Sequence, residues 1–309
     1  MRIVLTGGTG FIGRTLCAAL ARDGHGVSLL TRNASRASHL SGPFVTVVEW
    51  NGRETGSWEQ SLDGVDAVIN LTGAPIADAR WTDARKQLLA ESRVLTTRLL
   101  VRAMCHQSSK PKTLISASGI GYYGASDDRV LDENTPHGQG FLADLCLAWE
   151  AEALRAEDFG TRVVLLRTGM VLEQDGGALP KMLLPFRLFM GGPVMPGRQW
   201  ISWIHHRDLI GLIQWALAKP GVSGPVNAVA PAAVTMSRFC EILGRALHRP
   251  SWLPVPGLAL KIVLGELGSL MTTGQRVSPE KALSGGYVYE YPTLEPALRA
   301  IFAERRGDD

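Results

Sequence analysis

Residues 1–13 read MRIVLTGGTGFIG and decide the fold. Ile3, Val4 and Leu5 form a short apolar run that is typical of a buried parallel strand. Beyond the glycines the apolar residues recur with helical spacing; they are Phe11, Ile12, Leu16, Ala19 and Leu20. The stretch therefore predicts a strand, a glycine-rich turn and a helix, in that order.

The three glycines of this turn, Gly7, Gly10 and Gly13, have the spacing G-x-x-G-x-x-G. Gly7 permits the tight turn, Gly10 lets the backbone approach a pyrophosphate, and Gly13 lets the helix pack against the strand. The free N–H groups and the dipole of the helix then face the phosphates. A glycine turn that binds nothing fits this context less well. We expect a dinucleotide to contact Gly7, Gly8, Thr9, Gly10, Phe11, Ile12 and Gly13.

The end of the second predicted strand, 27–31, indicates the type of cofactor. An Asp or Glu at this position binds the ribose 2′-hydroxyl of NAD, but here Arg32 stands there and Arg36 follows one helical turn later. Each guanidinium bond to a 2′-phosphate contributes roughly 1.5–3 kcal/mol. We therefore predict NADP(H) in preference to NAD(H), with contacts from Thr31, Arg32, Asn33 and Arg36; the alternative is that Arg32 is a solvated loop residue.

Strand and helix patterns alternate through the first half of the chain, which is typical of an α/β fold with a Rossmann-type, doubly wound parallel sheet. After Gly169 the strand signals become short and proline and glycine become frequent. Residues 1–170 are predicted to form the NADP-binding domain, to which 200–230 returns. Residues 171–309 are predicted to form a smaller, mixed α/β substrate-side region. The further predicted strands are 44–50, 65–71, 113–118, 162–167, 200–204 and 225–229. The further predicted helices are 82–106, 141–158, 179–190, 207–218, 235–247 and 258–270. The tail, 287–301, is predicted to contain a strand-like piece and a last helix.

Composition excludes several classes of protein. The net charge of +3 over 309 residues, without a basic block, does not suggest nucleic-acid binding. The four cysteines are far apart in apolar stretches, which predicts reduced thiols and no metal or disulfide site. No apolar stretch is long enough to cross a membrane, and the chain starts with a strand, so we expect a cytoplasmic protein without a signal peptide. A monomer and a homodimer remain open.

Several motifs together resemble the extended short-chain dehydrogenase/reductase superfamily. They are the glycine loop, Asn70-Leu71-Thr72-Gly73-Ala74, Ser92-Arg93, the stretch SASGIGYYG at 116–124, Trp149-Glu150, RTGMVL at 167–172, GGAL at 176–179, SWIH at 202–205 and GQRV at 274–277. The chain is most similar to an atypical group of the NAD-dependent epimerase/dehydratase type that ends in a domain of unknown function. The resemblance implies a Rossmann fold, and cofactor contacts from Leu71, Thr72, Gly73, Ala74, Arg93 and Ser116.

The sequence departs from the superfamily at the catalytic pair. In that superfamily a Tyr-x-x-x-Lys on the helix after the fifth strand moves the proton, because the lysine cation lowers the pKa of the tyrosine. Alignment on Glu150 puts Leu142 and Cys146 at these two positions. Leucine has no proton to give and cysteine has no cation, so neither residue performs this chemistry.

Four residues remain as catalytic candidates, each with a simpler alternative. Ser118 matches the superfamily's substrate-side serine, or it caps a turn. Tyr122 and Tyr123 follow it and either one could act as the acid; each could also be an aromatic anchor. Arg93 stands where the superfamily often has Asn and could replace the lysine charge, or it forms a structural ion pair.

Other residues border the predicted cleft. Trp81 and Lys86 flank its mouth, where Trp81 either stacks on substrate or packs in the core. His205, His206 and Asp208 lie close together in sequence, but no third and fourth ligand follows at a supporting spacing, so no metal site is predicted. Asp208 is expected to cap or anchor the helix that begins there.

Two functions follow from these residues. The first is an NADP(H)-dependent oxidoreductase or epimerase that acts on a small polar molecule, with sugar-like compounds among the candidates, in which Ser118 holds the substrate oxygen. The second is an NADP(H)-binding sensor or scaffold with little catalysis, which the missing Tyr and Lys favour. Turnover of NADPH with a carbonyl compound distinguishes them, since fold alone does not imply function.

Overall fold

The computed structural model describes residues 1–304, apart from the side chains of residues 259, 261, 263, 264 and 304. Its strands are β1 (Arg2–Thr6), β2 (Gly26–Thr31), β3 (Val45–Glu49), β4 (Ala67–Asn70), β5 (Thr113–Gly119), β6 (Val130–Leu131), β7 (Arg162–Thr168), β8 (Met170–Glu173), β9 (Gly176–Gly177), β10 (Trp200–Ile201), β11 (Trp203–His205), β12 (Gly224–Ala228), β13 (Val234–Thr235) and β14 (Arg276–Val277). Its α-helices are α1 (Phe11–Arg22), α2 (Ala34–Ala37), α3 (Asp83–Ala90), α4 (Thr96–Cys105), α5 (Phe141–Leu154), α6 (Leu179–Arg187), α7 (His206–Ala218), α8 (Met236–Leu247), α9 (Gly257–Leu264), α10 (Glu266–Met271), α11 (Glu280–Ser284) and α12 (Leu294–Glu304). The last five residues of the predicted C-terminal region lie outside the described residues.

Seven strands form the central sheet, in the order β3-β2-β1-β4-β5-β7-β12, and all of their pairings are parallel. The chain adds strands to one side of β1 and then, from β4 onward, to the other side. The strand order therefore reverses between β1 and β4, and ligands bind at such a point in open α/β sheets. The prediction of a Rossmann-type, doubly wound parallel sheet is confirmed. Its last strand, β12, pairs with β7 at the edge, and the division into domains stays a prediction.

Helices cover both faces of the sheet. On one face α1 and α7 bury Leu16, Leu20, Leu212 and Ile213 against the strands. On the other face α4 and α5 contribute, among others, Leu100, Met104 and Ala153. Strands that are buried on both faces read as continuous apolar runs, which is why β1 and β7 were recognisable from sequence.

The second half of the chain builds a smaller core from α6, α8 and α12, with Leu179, Leu183, Phe239, Leu243 and Leu298 at its centre. It is tied to the first half by a short parallel pairing of β6 with β14. The buried carboxylate of Asp208 on α7 also accepts hydrogen bonds from the backbone N–H groups of Glu290, at 2.7 Å, and Tyr291, at 2.9 Å. Asp208 thus anchors the C-terminal tail rather than its own helix, which is capped by His205.

Several predicted elements are interrupted. The helix predicted at 82–106 contains a π-helical segment, Glu91–Leu95, between α3 and α4. The helix predicted at 258–270 divides at Gly265, whose φ of 63° does not continue a right-handed helix. The prediction of a strand-like piece in the tail, 287–301, is wrong, because the described residues contain no strand there. Among residues 1–304, no helix has both the length and the apolarity needed to cross a bilayer.

Candidate active site at the carboxyl edge of the sheet

The glycine loop sits directly against the tip of β4. Gly7 has a φ of 70°, and a Cβ atom on it would lie 2.7 Å from the carbonyl carbon and oxygen of Leu71. A Cβ atom on Gly13 would overlap the carbonyl oxygen of Gly7 and lie 2.5 Å from Cα of Gly8. Only glycine fits at these two positions, because α1 packs so closely on the loop that precedes it. Gly8 is confined in the same way by the Leu29 side chain of β2.

The N-terminus of α1 is open to an anion. Its N-cap residue, Gly10, makes no side-chain capping bond, and the first turn, which begins with Phe11 and Ile12, contains no acidic residue. Apart from its own helix and chain neighbours, a Cβ atom built on Gly10 would meet one heavy atom of the described residues within 4 Å, the Gly7 carbonyl oxygen at 3.2 Å. The first N–H groups of a helix need an acceptor, and they carry the positive end of the helix dipole. This geometry fits a pyrophosphate above Gly10, with Thr9 exposed beside it.

The end of β2 leaves two cations in solvent. Thr31 is buried, whereas Arg32 and Arg36 are exposed, and neither guanidinium forms an ion pair within residues 1–304. Asn33 caps α2 by accepting a hydrogen bond from the Arg36 backbone N–H, at 2.9 Å. The loop therefore presents Arg32 and Arg36 on one short turn, as binding of a 2′-phosphate requires. The residues present fit NADP(H).

A buried polar row crosses the sheet next to the loop. The strand register places Thr6, Asn70 and Ser116 side by side on β1, β4 and β5. The Thr6 hydroxyl donates to Asn70 Oδ1 at 2.7 Å, and the Thr72 hydroxyl donates to Thr6 Oγ1 at 2.8 Å. Ser116, which is fully buried, lies 3.5 Å from Asn70 Nδ2. These bonds fix the tips of β1 and β4, and thereby the loop that runs from Leu71 through Thr72 and Gly73 to Ala74.

Arg93 lies in the π-helical segment and reaches this same loop. Its Nη2 donates to the Ala74 carbonyl at 2.9 Å, and its Nη1 donates to the Leu89 carbonyl at 3.3 Å. A Cβ atom on Gly73 would lie 3.0 Å from Cζ of Arg93, so the glycine leaves room for the guanidinium. Burial lowers the pKa of Arg93 to about 10. The alternative of a structural ion pair is not what the described residues show, since none of their carboxylates pairs with Arg93.

A second polar row lies two residues further along β5. The register places Ser118, Arg167 and Asn227 side by side on β5, β7 and β12. Ser118 Oγ donates to Glu150 Oε1 at 2.6 Å. Glu150, from α5, accepts two bonds from Arg167, which are Nε to Oε1 at 2.9 Å and Nη2 to Oε2 at 2.8 Å. Ser118 is thus oriented by a buried carboxylate, and it does not cap a turn.

The two tyrosines have different surroundings. The Tyr123 hydroxyl donates to Asn227 Oδ1 at 2.7 Å and accepts from Arg167 Nη1 at 3.0 Å. Burial raises the pKa of Tyr123 to about 12. Tyr122 is only partly buried, and its ring lies against Arg167, with Cζ 3.4 Å from the ring centroid. Tyr123 therefore anchors the row, and Tyr122 has the freer hydroxyl.

Leu142 and Cys146 occupy the places where the tyrosine and lysine of the superfamily would stand. A Cβ atom on Gly121 would meet Leu142 Cβ at 3.1 Å, and one on Gly119 would meet Cys146 Sγ at 3.9 Å. Burial, followed by the nearby Glu150 charge, raises the pKa of the Cys146 thiol to about 11. Cys146 therefore stays protonated at neutral pH and carries no charge.

The remaining candidates lie at the rim. The Trp81 ring packs edge-on against Phe141, with ring centroids 5.3 Å apart, and Lys86 pairs with Glu266 of α10. His206 stacks on Phe11 of the glycine loop, with centroids 5.1 Å apart, and its Nδ1 lies 3.4 Å from Glu173. Within the described residues, no group of three or more His, Cys, Asp or Glu side chains is arranged to hold a metal ion.

Three residues of the site, Glu150, Arg167 and Asn227, were given no role by the sequence. Glu150 could have been found, because it follows Leu142 and Cys146 at intervals of four residues and so shares their face of α5. Arg167 and Asn227 could not, since their position beside Ser118 depends on the register of three strands that are distant in sequence.

Comparison with known proteins identifies the family. Residues 3–229 match the family described as NAD dependent epimerase/dehydratase, and residues 255–301 match a domain of unknown function, DUF1731. The chain is 41% identical over 307 residues to the Epimerase family protein YfhF of Bacillus subtilis, covering 99% of each chain. It is also 41% identical over 307 residues to the chloroplastic Epimerase family protein SDR39U1 homolog of Arabidopsis thaliana, covering 97% of this chain and 86% of that protein. The crystal structure of human epimerase family protein SDR39U1 (isoform 2) with NADPH is 36% identical and has a TM-score of 0.86, covering 97% of this chain and 99% of the human chain. The chain belongs to the NAD-dependent epimerase/dehydratase family, in the group of epimerase family proteins that carry DUF1731.

Proposed function

We propose that the protein is an NADP(H)-dependent oxidoreductase or epimerase that acts on a small polar substrate. The observation that carries this proposal is the position of Ser118, whose hydroxyl is held by the buried Glu150 carboxylate at the end of β5. The glycine loop lies at the ends of β1 and β4 on the same edge of the sheet. A cofactor that extends from this loop along the edge would bring its nicotinamide toward Ser118.

Arg32 and Arg36 support a preference for the phosphorylated cofactor. Both guanidinium groups stand free at the end of β2, where a carboxylate would select NAD. The human relative was crystallised with NADPH, which agrees with this preference.

In the proposed reaction the cofactor would transfer the hydride and side chains of this protein would transfer the proton. Bound NADP(H) would supply or accept a hydride. Ser118 Oγ, which gives its own proton to the bond with Glu150, keeps its lone pairs for a substrate hydroxyl. During oxidation of an alcohol, the substrate proton would pass to Ser118 Oγ and the serine proton to Glu150 Oε1. Arg167 holds the Glu150 carboxylate in position to accept it.

Tyr122 is the better of the two tyrosines for a second proton transfer. Tyr123 is committed to Asn227 and Arg167, and its raised pKa opposes deprotonation. Tyr122 is partly exposed above Arg167. In the reducing direction Tyr122 would donate a proton to the developing alkoxide.

A protein that binds NADP(H) without turnover is the second candidate. The observation that favours it is the presence of Leu142 and of an uncharged thiol, Cys146, where the superfamily has tyrosine and lysine. Such a protein would report the NADPH/NADP ratio, and it would bind the two redox forms with different affinities.

Calorimetric titration with NADPH, NADP, NADH and NAD tests the cofactor first. We expect tight binding of the phosphorylated pair, followed by NADPH oxidation when a set of small carbonyl compounds is supplied. Ser118→Ala should slow this oxidation and leave NADPH affinity unchanged. If NADPH binds but no carbonyl compound causes its oxidation, and NADPH and NADP bind unequally, the second candidate is correct. If none of the four cofactors binds, both candidates fail.

A further inference from the structure

Arg93 is a buried cation that has no counter-ion among the described residues. Its side chain is 7% exposed, and within the described residues it bonds only to the carbonyls of Ala74 and Leu89 and to Ser92 Oγ. Carbonyl dipoles satisfy N–H groups but carry no full charge. Leaving a guanidinium unpaired at such depth costs several kcal/mol. With a pKa lowered to about 10, Arg93 is still cationic at neutral pH.

Contacts within the chain offset only part of the cost of burying the Arg93 charge. Its guanidinium lies over the face of Trp149, with Cζ 5.2 Å from the ring centroid, and such contacts contribute about 2 kcal/mol when desolvated. The carboxylate of the neighbouring row, Glu150, is held by two bonds to Arg167. A positive charge therefore remains next to the reaction site.

A second guanidinium on the same loop increases the excess of positive charge. Arg85, from α3, donates to the Pro75 carbonyl, and its Nε is buried without a partner in the described part of the chain. Arg85 also contributes to the lowered pKa of Arg93, so the two cations act on each other. Each cation disfavours the charged form of the other, and an anionic group bound beside both would offset this repulsion.

The backbone around Arg93 points to a ligand as well. Arg93 lies in a π-helical segment of five residues, Glu91–Leu95, between two α-helices. Such segments are rare and frequently occur at functional sites. Arg93 lies over the ring of Trp149, and Ser118 donates to Glu150, the next residue of α5, so both groups contact the same turn of that helix. An anionic group at Arg93 would thus be part of a molecule that also reaches Ser118.

We propose that Arg93, assisted by Arg85, binds an anionic group of the substrate, a carboxylate or a phosphate, while Ser118 holds the reacting oxygen. This inference rests on the proposed function for the role of Ser118. The substrate class is then a small hydroxy or keto compound that carries an acidic group.

Anion binding can be measured without knowing the substrate. Malonate and inorganic phosphate are titrated by calorimetry into the wild-type protein at fixed ionic strength, with and without NADPH, and malonamide serves as the uncharged probe. We expect saturable binding of one anion and none of malonamide; the anion that binds identifies the group as carboxylate or phosphate. Arg93→Gln should weaken this binding about tenfold or more and weaken NADPH far less, since Arg93 supports the cofactor loop only through its bond to the Ala74 carbonyl. Arg102→Gln, an exposed arginine on α4, is the matched control.

The outcomes separate the two proposals. If neither anion binds the wild type, or if Arg93→Gln binds it equally well, the anion site is wrong. If Arg93→Gln weakens NADPH instead, the cation serves the phosphates of the cofactor and the inference is overturned. If NADPH does not bind but the anion does so through Arg93, the proposed oxidoreductase fails and the anion site stands. If Arg93→Gln does not fold, Arg85→Gln, at a less buried position, should still weaken the anion several-fold.

Discussion

At the scale of single residues, the exposed cations at the end of β2 are the simplest to test. Arg32→Ala should weaken NADPH binding roughly ten- to a hundredfold, because one or two charge-assisted bonds to the 2′-phosphate are lost. NADH lacks this phosphate, so its affinity should not change. Calorimetry with both cofactors measures the difference. Equal weakening of the two would remove Arg32 from the phosphate site, and Arg22→Ala, at the far end of α1, controls for lost surface charge.

The buried pair of Glu150 and Arg167 should contribute strongly to stability. Glu150→Ala leaves the Arg167 guanidinium buried without its carboxylate, which costs about 3–5 kcal/mol of the free energy of unfolding. Denaturant unfolding followed by circular dichroism measures this loss. Glu241→Ala removes two equally short but exposed ion pairs, to Arg238 and Arg245, and should leave the unfolding midpoint unchanged. A similar midpoint for both variants would show that the buried pair is not a stabilising contact.

At the scale of elements, the glycine loop is expected to tolerate no side chain above the N-terminus of α1. Gly10→Val should abolish NADPH binding, because the added carbons occupy the space above the first N–H groups of the helix. The protein should still fold, since only the Gly7 carbonyl lies near the new Cβ atom. Gly26→Ala, where nothing lies within 4 Å, is the control and should bind NADPH normally. Retained binding in Gly10→Val would contradict the phosphate-loop assignment.

The cap of α7 makes stability depend on pH. His205 is 1% exposed and accepts a hydrogen bond from the Arg207 backbone N–H, and burial lowers its pKa to about 4. In the unfolded chain the histidine pKa is about 6.5, so as pH falls the unfolded state takes up a proton at a higher pH than the folded state does. His205 therefore makes the fold less stable as pH falls from about 6.5 to 4. His205→Asn keeps a capping acceptor but does not titrate. Its stability relative to the wild type should therefore rise by about 3 kcal/mol between pH 7 and pH 4; a constant difference would mean that His205 does not titrate in this range.

The alternation of strands and helices was predictable from the pattern of apolar residues. Strands buried on two faces are apolar throughout, whereas in the helices that follow them apolar residues recur about every 3.6 residues. The π-helical segment, Glu91–Leu95, was not predictable, because the wider turn of a π-helix hardly changes the spacing of apolar residues along the helix. At the site, the glycine loop and Ser118 were recognisable from local spacing. The bonds from Ser118 to Glu150 and from Glu150 to Arg167 need the sheet register, which local spacing does not contain.

At the scale of the whole molecule, Asp208 holds the tail to α7, which packs on the central sheet. Asp208→Ala leaves the backbone N–H groups of Glu290 and Tyr291 without their acceptors, which costs about 1–3 kcal/mol for each. Hydrogen exchange should show faster exchange at these two amides, and thermal unfolding should occur at lower temperature. Asp158→Ala removes an exposed carboxylate and should change neither measurement. Unchanged exchange in Asp208→Ala would show that other contacts hold the tail.

The sheet is closed at its edge by β12, which the chain supplies only after β8 to β11 and α7 have been made. On the ribosome, β7 is therefore synthesised long before β12. Until β12 is made, the N–H and C=O groups on the outer side of β7 have no strand to pair with. The growing chain is exposed to misassociation during this interval, and a chaperone that shields strand edges would act on it there. Asn227, which completes the row beside Arg167, arrives with the same strand. The row of Ser118, Arg167 and Asn227 and the last edge of the sheet are thus completed in one step of biosynthesis.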